Sequence, residues 1–75
     1  MNELIVSVKA PPKAAAACLA SMRPEIDSDT HARSAVDLRY DGGLVLTITA
    51  KDLHAMRAAA NTYIRWLDMC LRLAR

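Results

Sequence analysis

The sequence has no phenylalanine, and Tyr40, Tyr63 and Trp66 are its only aromatic residues. A core must therefore be built from Leu, Ile, Val, Met and Ala. Only two glycines and three prolines punctuate the 75 residues, which excludes a low-complexity or linker-rich chain. A large excess of one charge is also lacking, with 10 basic against 8 acidic residues. A formal net charge of +2 does not by itself announce a nucleic-acid binder. No apolar run approaches the ~18 residues of a membrane span. The opening residues carry Glu3 where a secretory signal would be basic, and their apolar stretch is short, so a cytoplasmic location is expected.

Cysteine is nearly absent too. Cys18 and Cys70 stand 52 residues apart, no CxxC or HxxxH spacing occurs, and His31 and His54 are isolated. A zinc site would have to gather four ligands from four distant segments, so neither a metal nor another cofactor is expected. In a reducing compartment a disulfide is not expected either. Each cysteine reads as a small buried hydrophobe on a helix.

These absences matter because the chain is short. A chain of this size buries little more than ~60 % of its unfolded surface. Domains below ~70–80 residues usually need a disulfide, a metal or a partner chain. What is present is an ordinary globular composition, 53 % apolar and 24 % charged, which excludes disorder. With metal and disulfide set aside, association with another chain becomes the favoured staple.

Residues Glu3 to Lys9 alternate, with Leu4, Val6 and Val8 on one side, which predicts a half-buried strand. Pro11-Pro12 ends it, and a helix is predicted from Pro12 to Met22 through Ala14 to Ala17. Ala15, Cys18, Leu19 and Met22 share one face. Arg23-Pro24 is read as the stop, followed by a polar loop to about Ala32. A second strand, Arg33 to Tyr40, turns at Asp41-Gly42-Gly43 into a third, Leu44 to Ala50. Asp52 caps a long helix from Leu53 to Leu73, roughly 30 Å in length. The expected fold is α+β, in the order strand-helix-strand-strand-helix. Its three-stranded antiparallel sheet has strand order 1-3-2 and both helices on one face. All 75 residues form a single domain.

Two features point outward. On the last helix, Leu53, Met56, Ala60, Tyr63, Ile64, Leu67, Leu71 and Ala74 fill an arc of about 100°. Ala55, Ala59, Trp66, Cys70 and Leu73 widen the apolar arc to about half the cylinder. The first helix is too short to cover all of it, so a second protein surface is expected there. Ala14, Ala17 and Ser21 are small and would let a partner helix approach closely. The sheet, for its part, has two bare edges and an outward face that keeps Ile5, Ala35 and Val45. Self-association by edge or by face would cover them.

No catalytic constellation stands out. The serines lack a nucleophile-elbow context, and Gly42-Gly43 lacks the lysine and helix of a phosphate loop. The acidic trio Glu25, Asp27 and Asp29 reads as a solvated turn. Arg57, Arg65 and Arg72 lie along one helix stripe, while Lys9, Arg33 and Arg39 share the outer sheet face. Either set could touch RNA phosphates, but with Asp37 and Asp68 interleaved both read first as ordinary solvated faces.

The segment AKDLHAMRAAANTYIRWLDMCL (residues 50–71) resembles the C-terminal helix of the small Pcc-type subunit of the KEOPS complex, the CTAG/Pcc family. Asp52, Leu53, Met56, Arg57, Ala58, Asn61, Ile64, Arg65 and Trp66 stand at the family's motif positions. Arg57, Asn61 and Arg65 recur at four-residue steps, more than helix periodicity requires. Ser21 to Glu25 (SMRPE) resembles the end of the family's first helix, whereas Ala14 to Ala17 depart from its charged pattern.

The resemblance implies a non-catalytic subunit of the complex that installs threonylcarbamoyl on adenosine beside the anticodon of ANN-decoding tRNAs. It implies dimerisation, as a homodimer in archaeal chains of this length, and docking of the helices on the Kae-type transferase subunit. It also implies help in holding tRNA. An older family label, transcription factor, is the weaker description. Beside this stand two other readings: a stand-alone small RNA-binding α+β module, and a small ligand-binding or enzymatic dimer.

Overall fold

The computed structural model describes residues 1–28 and 34–73. The elements run β1 (Asn2–Val8), α1 (Pro12–Ser28), β2 (Ser34–Tyr40), β3 (Leu44–Ala50) and α2 (Leu53–Leu73). β3 lies at the centre of an antiparallel sheet ordered β1-β3-β2, so the expected α+β topology is the one observed. The register sets Leu46 between Val6 and Leu38, and Ile48 between Leu4 and Val36. Period-two alternation therefore gathers these residues on one face. Both helices supply side chains to the cluster on that face: Ala15, Cys18, Met22 and Ile26 from α1, and Ala59, Tyr63, Leu67 and Cys70 from α2.

The β2–β3 hairpin needs both its glycines. Gly42 has a φ of 70°, a conformation that side-chain-bearing residues rarely adopt. Gly43 sits so close to the end of β1 that a Cβ would lie 2.8 Å from the Val8 carbonyl oxygen. The Asp41 N–H closes the turn on the Gly43 carbonyl at 2.8 Å.

α1 does not stop at Arg23-Pro24 as the sequence suggests; it continues through Pro24 to Ser28. A helical proline removes the hydrogen bond to the carbonyl four residues earlier and crowds it. That carbonyl belongs to Ala20, and both Ala20 and Pro24 are exposed, so water can satisfy it. The gain is tertiary. Ile26 reaches the core, and the Arg23 guanidinium donates to the Leu38 carbonyl of β2. It also lies 3.7 Å from both Asp27 and Asp37. Glu25 and Asp27 thus sit on a helix rather than in a loop, and residues two apart do not face each other there. Asp29, His31 and Arg33 lie outside the described residues. Because Pro24 works against its own helix, Pro24→Ala should stabilise the chain by about 1–2 kcal/mol in urea denaturation. An unchanged or lower midpoint would mean that the proline fits this helix without strain.

The seam of α2 also differs from expectation. Leu53 and Ile64, placed in the packing arc by sequence, are exposed. The buried line is Ala59, Tyr63, Leu67 and Cys70, flanked by Met56, Ala60, Trp66 and Leu71. Two neighbours cover α2 at once, the sheet and α1, so its buried centre turns toward α1. Tyr63 and Trp66 stack within this contact, ring centroids 6.2 Å apart. Ala74 lies outside the described residues.

Candidate interaction surfaces

The helix-free face of the sheet is built by the residues that alternate away from the core. Three rows cross it: Glu3–Thr49–Ala35, Ile5–Thr47–Asp37 and Ser7–Val45–Arg39. Ile5 is 56 % exposed, whereas Val45, at the centre of its row, is buried. Lys9 and Arg39 are exposed toward one end, Glu3 toward the other. Beside them, Ser7, Lys9, Asp41, Gly42 and Val45 help line an open depression of about 290 Å³ at the hairpin.

The second surface lies between the helices. Ala17, Cys18, Ser21, Cys70 and Leu73 line a groove of about 210 Å³. The Cys70 thiol donates to Ser21 Oγ at 3.9 Å. Burial first, then the adjacent Cys70 thiol, push the Cys18 thiol above its ordinary pKa. Exposed Leu73 and Met69 extend the apolar surface beyond the groove.

Of the residues expected on the docking side, Ala17, Ser21 and Leu73 are exposed, whereas Ala59 and Cys70 are buried and Trp66 is half-buried. Ala14, expected on the exposed side of the first helix, is buried as well. The reason is spacing: Ala14, Cys18, Met22 and Ile26 form a row at four-residue steps, and that row faces inward. Met69 escaped sequence reasoning altogether. It belongs to neither apolar arc, and only its exposure beside Leu73 brings it into view.

The third surface is the outer side of α2. Arg57, Asn61, Arg65 and Arg72 are all exposed there, opposite the buried seam. Arg72 Nε lies 3.2 Å from the Asp68 carboxylate. Packing makes no demand on Arg57, Asn61 or Arg65, so the four-residue repeat has no explanation in the core. Asp52 differs, because its Oδ1 accepts the Ala55 N–H at 2.7 Å and caps α2. The structure does not unite the basic residues. Lys9 and Arg39 lie on the open sheet face, whereas Arg57, Arg65 and Arg72 lie on the far side of the helix layer, and Arg33 is outside the described residues.

Among the described residues no three His, Cys, Asp or Glu side chains group as metal ligands, and no helix is long and apolar enough to cross a membrane. The fold and its uncovered faces define a small split-βαβ domain that presents a sheet surface on one side and a helix pair on the other. A family model described as transcription factor Pcc1 matches residues 3–75. The chain belongs to the Pcc1 family, the family of small KEOPS subunits. A comparison with curated proteins finds no match.

Proposed function

We propose that this chain is a non-catalytic, dimerising scaffold subunit of the KEOPS complex, which makes threonylcarbamoyladenosine in tRNA. The observation that carries the reading is a family match that spans every element of the fold. In this reading the helix-free sheet face meets a second copy. Exposed Ile5 supports that role. A two-fold axis lying between the two sheets, parallel to them and across the strands, would also bring the Lys9 and Arg39 end of one copy over the Glu3 end of the other. Ala17, Ser21, Met69 and Leu73 then dock the Kae-type transferase subunit, and Arg57 and Arg65 face tRNA inside the cytoplasmic assembly.

The test is co-expression with the Kae-type subunit followed by affinity capture. The wild-type chain should retain that subunit. Leu73→Glu, a change at an exposed position, should weaken binding at least about tenfold while leaving the melting temperature of the free chain unchanged. The stand-alone RNA-module reading replaces this one if the free chain captures no Kae-type subunit yet binds tRNA tightly with a steep salt dependence.

A further inference from the structure

Cys18 and Cys70 are remote in sequence, yet α1 and α2 bring them to one groove. Cys18 occupies the inward row of α1, and Cys70 ends the buried seam of α2. They line the same groove, and the Cys70 thiol is near enough to help push up the pKa of Cys18. Ala14, Ala17 and Ser21 around them are small, so the two helices can approach closely. The two sulfurs differ in access. Cys70 is 9 % exposed and Cys18 1 %, both at the groove of about 210 Å³. A small solute in the groove therefore meets Cys70 first, with Cys18 waiting behind it.

We propose that Cys18 and Cys70 are a modification site: a peroxide joins them as an intrachain disulfide that staples α1 to α2. The Cys70 thiolate attacks one peroxide oxygen, the O–O bond breaks, and the departing hydroxide takes a proton to become water. Cys70 is then a sulfenic acid. The Cys18 sulfur attacks the Cys70 sulfur, the S–O bond breaks, and a second water leaves with the Cys18 proton. In sum, two thiols and one hydrogen peroxide give one disulfide and two waters. The sulfurs lose two electrons and the peroxide gains them. The raised pKa of Cys18 slows the second step without blocking it. The bridge closes a loop over most of the chain, so it constrains the unfolded state strongly. It adds a covalent staple to a domain small enough to need one.

The experiment treats the full-length chain with hydrogen peroxide and maps tryptic peptides without reduction. The expected result is a Cys18 peptide linked to a Cys70 peptide and an intact mass lower by two hydrogens. The melting temperature should rise by roughly 10 °C or more, and dithiothreitol should reverse all three. Cys18→Ser or Cys70→Ser removes the linked peptide and the rise. Sulfinic or sulfonic acid on Cys70 beside an intact Cys18 thiol overturns the proposal. So do disulfides between chains, or a linked peptide with no thermal gain. The wild-type map reads the linkage directly, so the result holds even if a serine variant fails to fold.

Discussion

Ile5→Asp should convert a dimer into a folded monomer. Ile5 points away from the core on β1, opposite Thr47, and more than half of it is exposed in the single chain. The fold therefore loses little when it changes, and the far-ultraviolet circular dichroism and urea midpoint of the monomer should stay close to wild type. In a face-to-face dimer the same position would be buried. A two-fold axis repeats the change in both copies. Each copy would lose about 1–2 kcal/mol of apolar burial, since only the exposed half of Ile5 is left to cover, and would have to strip water from a carboxylate as well.

Together these weaken association by at least about 3 kcal/mol, more than a hundredfold in Kd. Analytical ultracentrifugation across a concentration series reads this directly. The outcome also distinguishes face from edge. Pairing through the free edge of β1 or β2 uses backbone N–H and C=O groups, which an outward side chain leaves untouched. A dimer that survives Ile5→Asp at wild-type strength would sink the face-to-face arrangement. A wild-type chain that sediments as a monomer at micromolar concentration would sink the dimer itself.

Leu46→Ala should cost about 3 kcal/mol of stability. Leu46 is fully buried on the central strand, flanked by Val6 and Leu38 in the register and part of the cluster shared with both helices. Truncation removes transfer free energy and leaves a cavity that neighbours held on every side cannot fill. In a chain of this length the whole stability is on the order of 4–11 kcal/mol, so one such change takes a large share of it. The melting temperature should fall by roughly 12–24 °C. The comparison must be made at one fixed protein concentration, because association adds to apparent stability. A loss below about 1 kcal/mol would show that the helices settle into the gap, and that the cluster is not the rigid centre of the fold.

The helices show where local reading succeeds and where it stops. Strand positions, the Asp41-Gly42-Gly43 turn and the Asp52 cap follow from period-two alternation, from the φ freedom of glycine and from a side-chain oxygen near free N–H groups. Each of these acts within a few residues, so each is visible in the string. Pro24 carries an equally local signal, a helix stop, and it misleads. Ile26 and Arg23 outweigh it through contacts with the sheet, and those partners are distant in sequence. Arg57, Asn61 and Arg65 were recognisable as a repeat, but only their exposure removes the core as its explanation.

Sequence alone determined the element order, the strand faces, the hairpin and the family, because patterning and motif spacing are properties of short stretches. Tertiary structure alone decided which side of α2 is buried, how far α1 extends and which residues line the groove. It alone set Cys18 beside Cys70. Apolar burial has no preferred direction of its own: an amphipathic helix turns toward whatever neighbours cover it. For α2 those neighbours are a sheet and another helix together, and their joint position is written in no single segment of the chain.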